Sequence, residues 1–152
     1  MIDAEVQVIW QTGKGYFENY KAKLGKYDLR RIRVQDFVRE MDLAYAVADI
    51  VISRSGALAV SELCIAKKAC ILVPSPNVAE DHQTKNAKAL ADKDAAILIP
   101  DKDANTRLVD EALQLLFDEN RADKLRSNIA KLAKPNATED IVNEIEKLIA
   151  HT

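Results

Sequence analysis

The chain has 152 residues, 48% of them hydrophobic and 30% charged, a composition typical of one globular domain. Its formal net charge of −2 at pH 7 excludes a strongly basic surface and so argues against nucleic-acid binding. No run approaches the roughly 18 apolar residues of a membrane span, and residues 1–5 lack the basic segment of a signal peptide. We therefore expect a cytoplasmic protein with a single domain over residues 1–152.

Short β-branched runs alternate along the chain with segments of helical periodicity. The predicted strands are residues 6–10, 30–34, 49–53, 69–73 and 96–99. The predicted helices are residues 16–24, 37–47, 57–66 and 83–91, followed by a helical remainder with breaks near Asn120 and at 134–136. The apolar run at 49–53 predicts a strand buried on both faces. This alternation predicts an α/β fold, a Rossmann-like parallel sheet with helices on both faces.

The two cysteines, Cys64 and Cys70, each lie inside an apolar run. Neither belongs to a CxxC pair or a cysteine–histidine cluster, so we predict two small buried hydrophobic side chains. Free thiols suit a reducing compartment. No zinc or other metal site is expected from this spacing, and His151 carries no functional signal.

The segment that follows the third strand is the first candidate for a binding site, because ligands of open parallel sheets bind beyond the carboxyl ends of the strands. Gly56 would allow a tight turn and a close approach of ligand to backbone. The amides of Ala57 and Leu58 would then form an anion site at a helix N-terminus. Arg54 and the Ser55 hydroxyl could supplement that site. The alternative is that Ser55 is only a helix N-cap and Gly56 only a turn.

Glu62 lies two turns into the same predicted helix, among otherwise apolar or small residues. Its carboxylate could accept hydrogen bonds from both hydroxyls of a ribose, as acidic residues do in other nucleotide sites. The alternative is a solvated surface glutamate.

The loop at residues 74–86 follows the fourth strand and should lie at the same sheet edge. Its imidazole and amide side chains, from His82, Gln83 and Asn86, suit the recognition of sugar hydroxyls. We do not expect Asp81 and His82 to act as an acid–base pair, because the sequence places no nucleophile beside them.

These residues together resemble the nucleotide-binding signature of the MurG family, the peptidoglycan N-acetylglucosaminyltransferases with a two-domain GT-B fold. The combination of RSGA, SE and HQxxNA at these spacings is specific, although each motif alone is weak. The resemblance covers essentially the whole chain, through residues 9–15, 36–38, 48–62, 73–76 and 82–87.

The resemblance implies a cradle for the diphosphate of a donor nucleotide, with Arg54 supporting its turn. The cradle consists of Ser55, Gly56, Ala57 and Leu58. It also implies that Glu62 holds the ribose. The residues implied to border the uracil are Phe37 and Val38, with the Val38 backbone reading the edge of the base. Those implied to contact the N-acetylglucosamine are Gln83, His82 and Asn86.

The resemblance further implies the reaction. The donor is UDP-N-acetylglucosamine (UDP-GlcNAc), no cofactor takes part, and the sugar passes with inversion to the muramyl 4-hydroxyl of lipid I, giving lipid II. The helix-terminal amides would stabilise charge on the departing UDP. Members of the family act as peripheral proteins on the cytoplasmic face of the inner membrane.

The sequence departs from the family in two features. It contains neither the N-terminal acceptor domain, which the resemblance implies to hold the catalytic base and to bind lipid I, nor the family's Gly-Gly-Ser turn. We therefore expect a truncated C-terminal domain with no catalytic residue and no transferase activity alone. An exposed sheet edge would favour self-association. Two alternatives remain: another UDP-sugar GT-B transferase or epimerase, or a non-catalytic nucleotide-binding or partner-docking module.

Overall fold

The structure is a computed structural model, and it describes residues 6–25, 27, 29–77 and 81–150. Predictions for residues 1–5, for 78–80 of the loop and for His151 lie outside these ranges. The chain divides into two compact units, Met1–Val47 and Ala48–Thr152, and each is described by itself. The single-domain assignment of residues 1–152 stays a prediction.

In the first unit, the residues that the structure describes form two strands and two helices: β1 (Val8–Gln11), α1 (Lys14–Leu24), β2 (Ile32–Gln35) and α2 (Met41–Val47). β1 and β2 pair in parallel, with Val8 opposite Ile32. Gly13 precedes α1 with φ +78°, in the left-handed region that favours glycine. α1 packs on β1 through the rings of Trp10 and Tyr20, whose centroids are 5.0 Å apart.

The predicted helix over residues 37–47 is wrong in its first four positions, since α2 begins at Met41. The first helical bond of α2 runs from the Ala44 N–H to the Glu40 carbonyl oxygen, at 3.1 Å, and two amides before it bind side chains. The Phe37 N–H donates to Asp36 Oδ1 at 2.8 Å, and the Val38 N–H donates to Gln11 Oε1 at 2.7 Å. These two bonds hold residues 37 and 38 in the segment before α2, and the helical ladder starts only at Glu40.

The described residues of the second unit, 48–77 and 81–150, form three strands and five helices. These elements are β3 (Ile50–Ser53), α3 (Ala57–Ala66), β4 (Ala69–Leu72), α4 (His82–Ala91), β5 (Ile97–Leu98), α5 (Asp101–Phe117), α6 (Glu119–Ala130) and α7 (Ala137–Ala150). The sheet has the order β3-β4-β5 and all its pairs are parallel. The predicted α/β class is therefore confirmed, and the bounds of α3 match the prediction. The break predicted near Asn120 falls at Asp118, whose carboxylate accepts a bond from the Arg121 amide and so caps α6.

β4 is the central strand of this sheet, and every one of its residues is buried. Ala69 and Ile71 belong to a core cluster with residues of α5 and α6, such as Leu115 and Leu125. Because successive side chains of a strand point to opposite faces, Cys70 and Leu72 face the other side, where they are also fully buried. Both faces of β4 are therefore covered.

β3 differs from the prediction of a strand buried on both faces. Among the described strands it pairs only with β4, and Ile52 is 47% exposed. Its apolar run resembles that of a central strand, but burial depends on what packs against the strand, and the sequence does not encode that locally. Self-association through exposed apolar surface of this kind stays a prediction.

Both cysteines are buried and free, as predicted. Burial raises the pKa of the Cys64 thiol. The pKa of Cys70 is raised to about 12, mainly by burial and to a smaller extent by the charge of nearby Cys64. Because the thiolate is the reactive form, we expect both cysteines to resist alkylation at pH 8 in the folded chain and to react once urea unfolds it.

The raised pKa of Cys70 also predicts how stability depends on pH. Unfolded thiols lose their proton near pH 8.5, whereas folded Cys70 keeps its proton until about pH 12. The free energy of unfolding should therefore fall as the pH rises between these values, by up to about 1.4 kcal/mol per pH unit. Urea unfolding of the parent and of Cys70→Ala from pH 8 to 10 measures this. Equal pH slopes in the two proteins would contradict the assignment.

Candidate functional site

The N-terminus of α3 is open. Gly56 is the N-cap residue, and no side chain caps the helix. The helical ladder begins with the bond from Val60 N to Gly56 O, at 3.0 Å, so the amides of Ala57 and Leu58 precede it and have no helical carbonyl to bind. Both residues are exposed. This end of the helix carries a partial positive charge and outward-pointing N–H groups, which together suit an anion.

Gly56 is not required by the backbone at this turn. Its φ of −61° and ψ of 149° are accessible to any residue, so the predicted need for a tight glycine turn is wrong. Apart from the adjoining residues 55 and 57, a Cβ built on Gly56 would meet no atom within 4 Å. The glycine therefore leaves open space beside the α3 amides, as the close-approach interpretation expects.

Ser55 is fully buried, and its hydroxyl points away from α3. Ser55 Oγ donates to the Gln83 carbonyl oxygen at 2.8 Å, so Ser55 is not the N-cap of α3. Its hydroxyl hydrogen is likewise not available to an anion, contrary to our expectation. The Ser55 carbonyl oxygen accepts a bond from Asn86 Nδ2 at 3.0 Å. Ser55 thus joins the exit of β3 to the beginning of α4.

The orientations of two side-chain amides follow from these contacts. Gln83 Oε1 accepts a bond from the Ser75 backbone N–H at 2.9 Å, and Asn86 Nδ2 donates to the Ser55 carbonyl. A backbone N–H can only donate and a carbonyl can only accept, so neither amide can be reversed without losing its bond. Gln83 Nε2, a donor, and Asn86 Oδ1, an acceptor, are the ends that these bonds do not use.

Arg54 links the exits of all three strands of the second unit. Its Nη1 donates to the carbonyl oxygens of Val73 and Pro74, each at 3.2 Å, after β4. The same nitrogen lies 2.5 Å from Oδ1 of Asp101, the first residue of α5, which follows β5. Sequence reasoning missed Asp101, although an acidic residue directly after the fifth strand could have been noticed by the same sheet-edge rule.

The other predicted residues are placed as follows. Glu62 lies in the second turn of α3 and is partly buried, and His82 is the exposed first residue of α4. Asp81 precedes it with φ +55° and does not cap the helix through its side chain. Phe37 is exposed and Val38 is buried; both belong to the first unit, so their part in this site stays a prediction.

The described residues contain no group of three or more histidine, cysteine, aspartate or glutamate side chains arranged to hold a metal ion. None of the helices they form is both long enough and apolar enough to cross a bilayer.

An open helix N-terminus at the carboxyl edge of a parallel sheet is the arrangement of nucleotide-binding α/β domains. Residues 2–145 match the family model described as "Glycosyltransferase family 28 C-terminal domain". Because that match covers nearly the whole chain, the protein belongs to this glycosyltransferase family.

Relatives and solved structures agree with this assignment. The chain is 50% identical over 147 residues to the "UDP-N-acetylglucosamine--N-acetylmuramyl-(pentapeptide) pyrophosphoryl-undecaprenol N-acetylglucosamine transferase" of Christiangramia forsetii, and 51% identical over 146 residues to the protein of the same name from Parabacteroides distasonis. These alignments cover 97% and 96% of this chain but only 39% and 40% of the relatives. The crystal structure of Acinetobacter baumannii MurG matches with a TM-score of 0.81 at 30% identity, over 96% of this chain and 42% of that one.

Proposed function

We propose that this chain is the donor-binding part of a transferase that moves N-acetylglucosamine from UDP-GlcNAc to lipid I, with inversion, to give lipid II. The observation that carries the proposal is the open N-terminus of α3, where Gly56 leaves space beside two exposed amides. The names of the relatives supply the donor, the sugar and the lipid-linked acceptor.

The diphosphate would bind at the α3 N-terminus through the amides of Gly56, Ala57 and Leu58. The Ser55 contribution would come from its backbone, because its hydroxyl is bonded to Gln83. Arg54 adds a positive charge two residues before the helix, and its side chain is 55% exposed. Hydrogen bonds to a charged acceptor are about twice as strong as neutral ones. The same groups would stabilise the charge that develops on UDP as the glycosidic bond breaks.

The sugar would be read by the unused ends of two amides, Gln83 Nε2 as a donor and Asn86 Oδ1 as an acceptor, with His82 beside them at the start of α4. Glu62 would accept hydrogen bonds from the ribose hydroxyls. Val38 would read the base through its carbonyl oxygen, because its N–H is bonded to Gln11.

We propose that the whole protein acts at the cytoplasmic face of the membrane that holds its lipid-linked acceptor. No residue of this chain is assigned as the base that deprotonates the acceptor hydroxyl. No metal ion or cofactor is part of the proposed donor-binding role, in which amides and a guanidinium would hydrogen-bond the diphosphate.

Calorimetric titration of the chain with UDP-GlcNAc, UDP-glucose and UDP tests the proposal. We expect saturable binding that is tightest for UDP-GlcNAc and weaker in Glu62→Ala, because that variant loses the ribose contact. Equal affinity for both sugar nucleotides would contradict the proposed donor and favour a transferase or epimerase of different sugar specificity. A chain that binds no nucleotide at millimolar concentration is not a donor-binding unit in its own right.

A further inference from the structure

We infer that Asp101 is a positioning residue of the anion site, acting through Arg54; this inference rests on the proposed function. Asp101 touches no predicted ligand group itself. It begins α5, 47 residues from Arg54 in sequence, and its carboxylate lies against the Arg54 guanidinium. The Asp101 carboxylate, from a helix far away in sequence, would thereby set the direction in which the Arg54 guanidinium meets the diphosphate.

The contacts of Arg54 use only one end of its guanidinium. Nη1 faces three oxygen atoms, from Val73, Pro74 and Asp101. A guanidinium has five N–H donors in a rigid plane, and Nη1 carries two of them. In the part of the chain that the structure describes, no partner is bound by the remaining three donors, on Nε and Nη2. Fixing one corner of a rigid plane also fixes the directions of the other donors.

The two backbone carbonyls alone would hold Arg54 less firmly than the carboxylate does, because hydrogen bonds between charged groups are the stronger ones. An arginine side chain otherwise has many rotamers, and it would have to lose them when the ligand binds. Asp101 restricts those rotamers before binding. Both side chains are partly exposed, 55% for Arg54 and 36% for Asp101, so solvent weakens the ion pair and the expected effect is moderate.

The sign of the effect distinguishes positioning from simple electrostatics. A carboxylate near a diphosphate repels it, so an Asp101 that acted only through its charge would weaken anion binding. Removing that charge would then tighten binding. If Asp101 positions Arg54, its removal weakens binding instead, because the arginine must become ordered at the moment of association.

The test compares Asp101→Asn with Asp103→Asn by calorimetric titration of the chain with UDP-GlcNAc and with UDP. Both aspartates lie in the first turn of α5, so both substitutions alter the helix dipole alike, but Asp103 pairs with Arg107 and not with Arg54. We expect Asp101→Asn to bind both ligands about three- to five-fold more weakly and Asp103→Asn to bind as the parent does. Unchanged or tighter binding by Asp101→Asn would overturn the inference.

A second comparison asks whether Asp101 acts through Arg54. In an Arg54→Ala background, Asp101→Asn should produce no further loss of UDP affinity. If Asp101→Asn lowered the UDP affinity as much in the Arg54→Ala background as in the parent, Asp101 would act by another route. Urea unfolding of each variant would show whether that route is a loss of stability. A parent chain that binds UDP without preferring UDP-GlcNAc contradicts only the proposed donor. A parent that binds neither ligand overturns both proposals.

Discussion

A Gly56→Ala variant should fold as well as the parent chain and bind UDP-GlcNAc about 100-fold more weakly, a loss of about 2.7 kcal/mol. The backbone angles at Gly56 suit alanine, and beyond the adjoining residues 55 and 57 the added methyl group meets no protein atom within 4 Å. Alanine gains about 0.4–1 kcal/mol by restricting the unfolded chain and loses a similar amount as a poorer N-cap. The stability change should therefore be small.

The loss of affinity has a steric cause. An amide nitrogen and a phosphate oxygen must come within about 3.2 Å of each other to form a hydrogen bond. A methyl group in the open space beside the α3 amides would hold the diphosphate away from Ala57 and Leu58. Each bond to a charged acceptor is worth about 1.5–3 kcal/mol, so weakening one or two of them accounts for the expected loss.

Calorimetry measures the affinity for UDP-GlcNAc, and urea unfolding measures the free energy of unfolding. Gly25→Ala is the matched control, because Gly25 also has a negative φ, of −58°, and its added Cβ would make only ordinary contacts, the nearest at 3.7 Å. It should retain full affinity. Parental affinity in Gly56→Ala would mean that the diphosphate does not lie over Gly56, and a stability loss of several kcal/mol would mean that the glycine is structural.

Two isosteric substitutions at the beginning of α4 should affect different properties: Asn86→Asp mainly the stability of the fold, and Gln83→Glu mainly the binding of UDP-GlcNAc. Asn86→Asp is expected to lower the free energy of unfolding by about 2–3 kcal/mol at pH 7. It replaces the Nδ2 donor with a carboxylate oxygen that faces the Ser55 carbonyl at the present 3.0 Å separation.

Gln83→Glu keeps the oxygen that accepts from the Ser75 N–H. It should therefore cost less than about 1 kcal/mol of stability, but it should weaken UDP-GlcNAc binding, because a donor becomes a negative charge near the diphosphate.

The stability of the Asn86→Asp variant should depend on pH in a direction that tests the assigned amide orientation. Repulsion from the Ser55 carbonyl raises the folded-state pKa of the introduced carboxyl above its ordinary value near 3.9. Its protonated form restores a donor, so the stability deficit should shrink as the pH falls from 7 towards 4. Urea unfolding at both pH values, with Gln83→Glu as the control for added charge, measures this. Equal stability losses in the two variants at pH 7 would contradict the assigned amide orientations.

Local pattern was enough to predict most of the secondary structure. The bounds of α3 follow from an apolar segment between Gly56 and the Lys67–Lys68 pair, and β4 follows from a continuous apolar run bounded by Pro74. Residues 37–40 were mistaken for helix, and in the structure the Val38 amide of this segment is bound by Gln11, 27 residues away in sequence. A contact at that separation leaves no periodic signal.

The sequence likewise predicted which residues of the candidate site lie together, but not their hydrogen bonds. The sequence identified Arg54, Ser55, Gln83 and Asn86 as neighbours, because the carboxyl ends of parallel strands meet at one sheet edge. It did not show what each group binds. The Ser55 hydroxyl was expected to face an anion and instead donates to Gln83 O, and the two amides hold the loops together with one end each.

The sequence by itself determined the order of strands and helices, the α/β class, the buried thiols and the place of Gly56 at the sheet edge, because these depend on hydrophobic periodicity and on residue types close together in the chain. Only the tertiary structure decided that β3 is exposed at Ile52, that Gly56 is sterically free and that Arg54 is bound to Asp101. Those features depend on which distant groups come together when the strands pair. The direction of a hydrogen bond or the burial of a strand face is a property of that assembly.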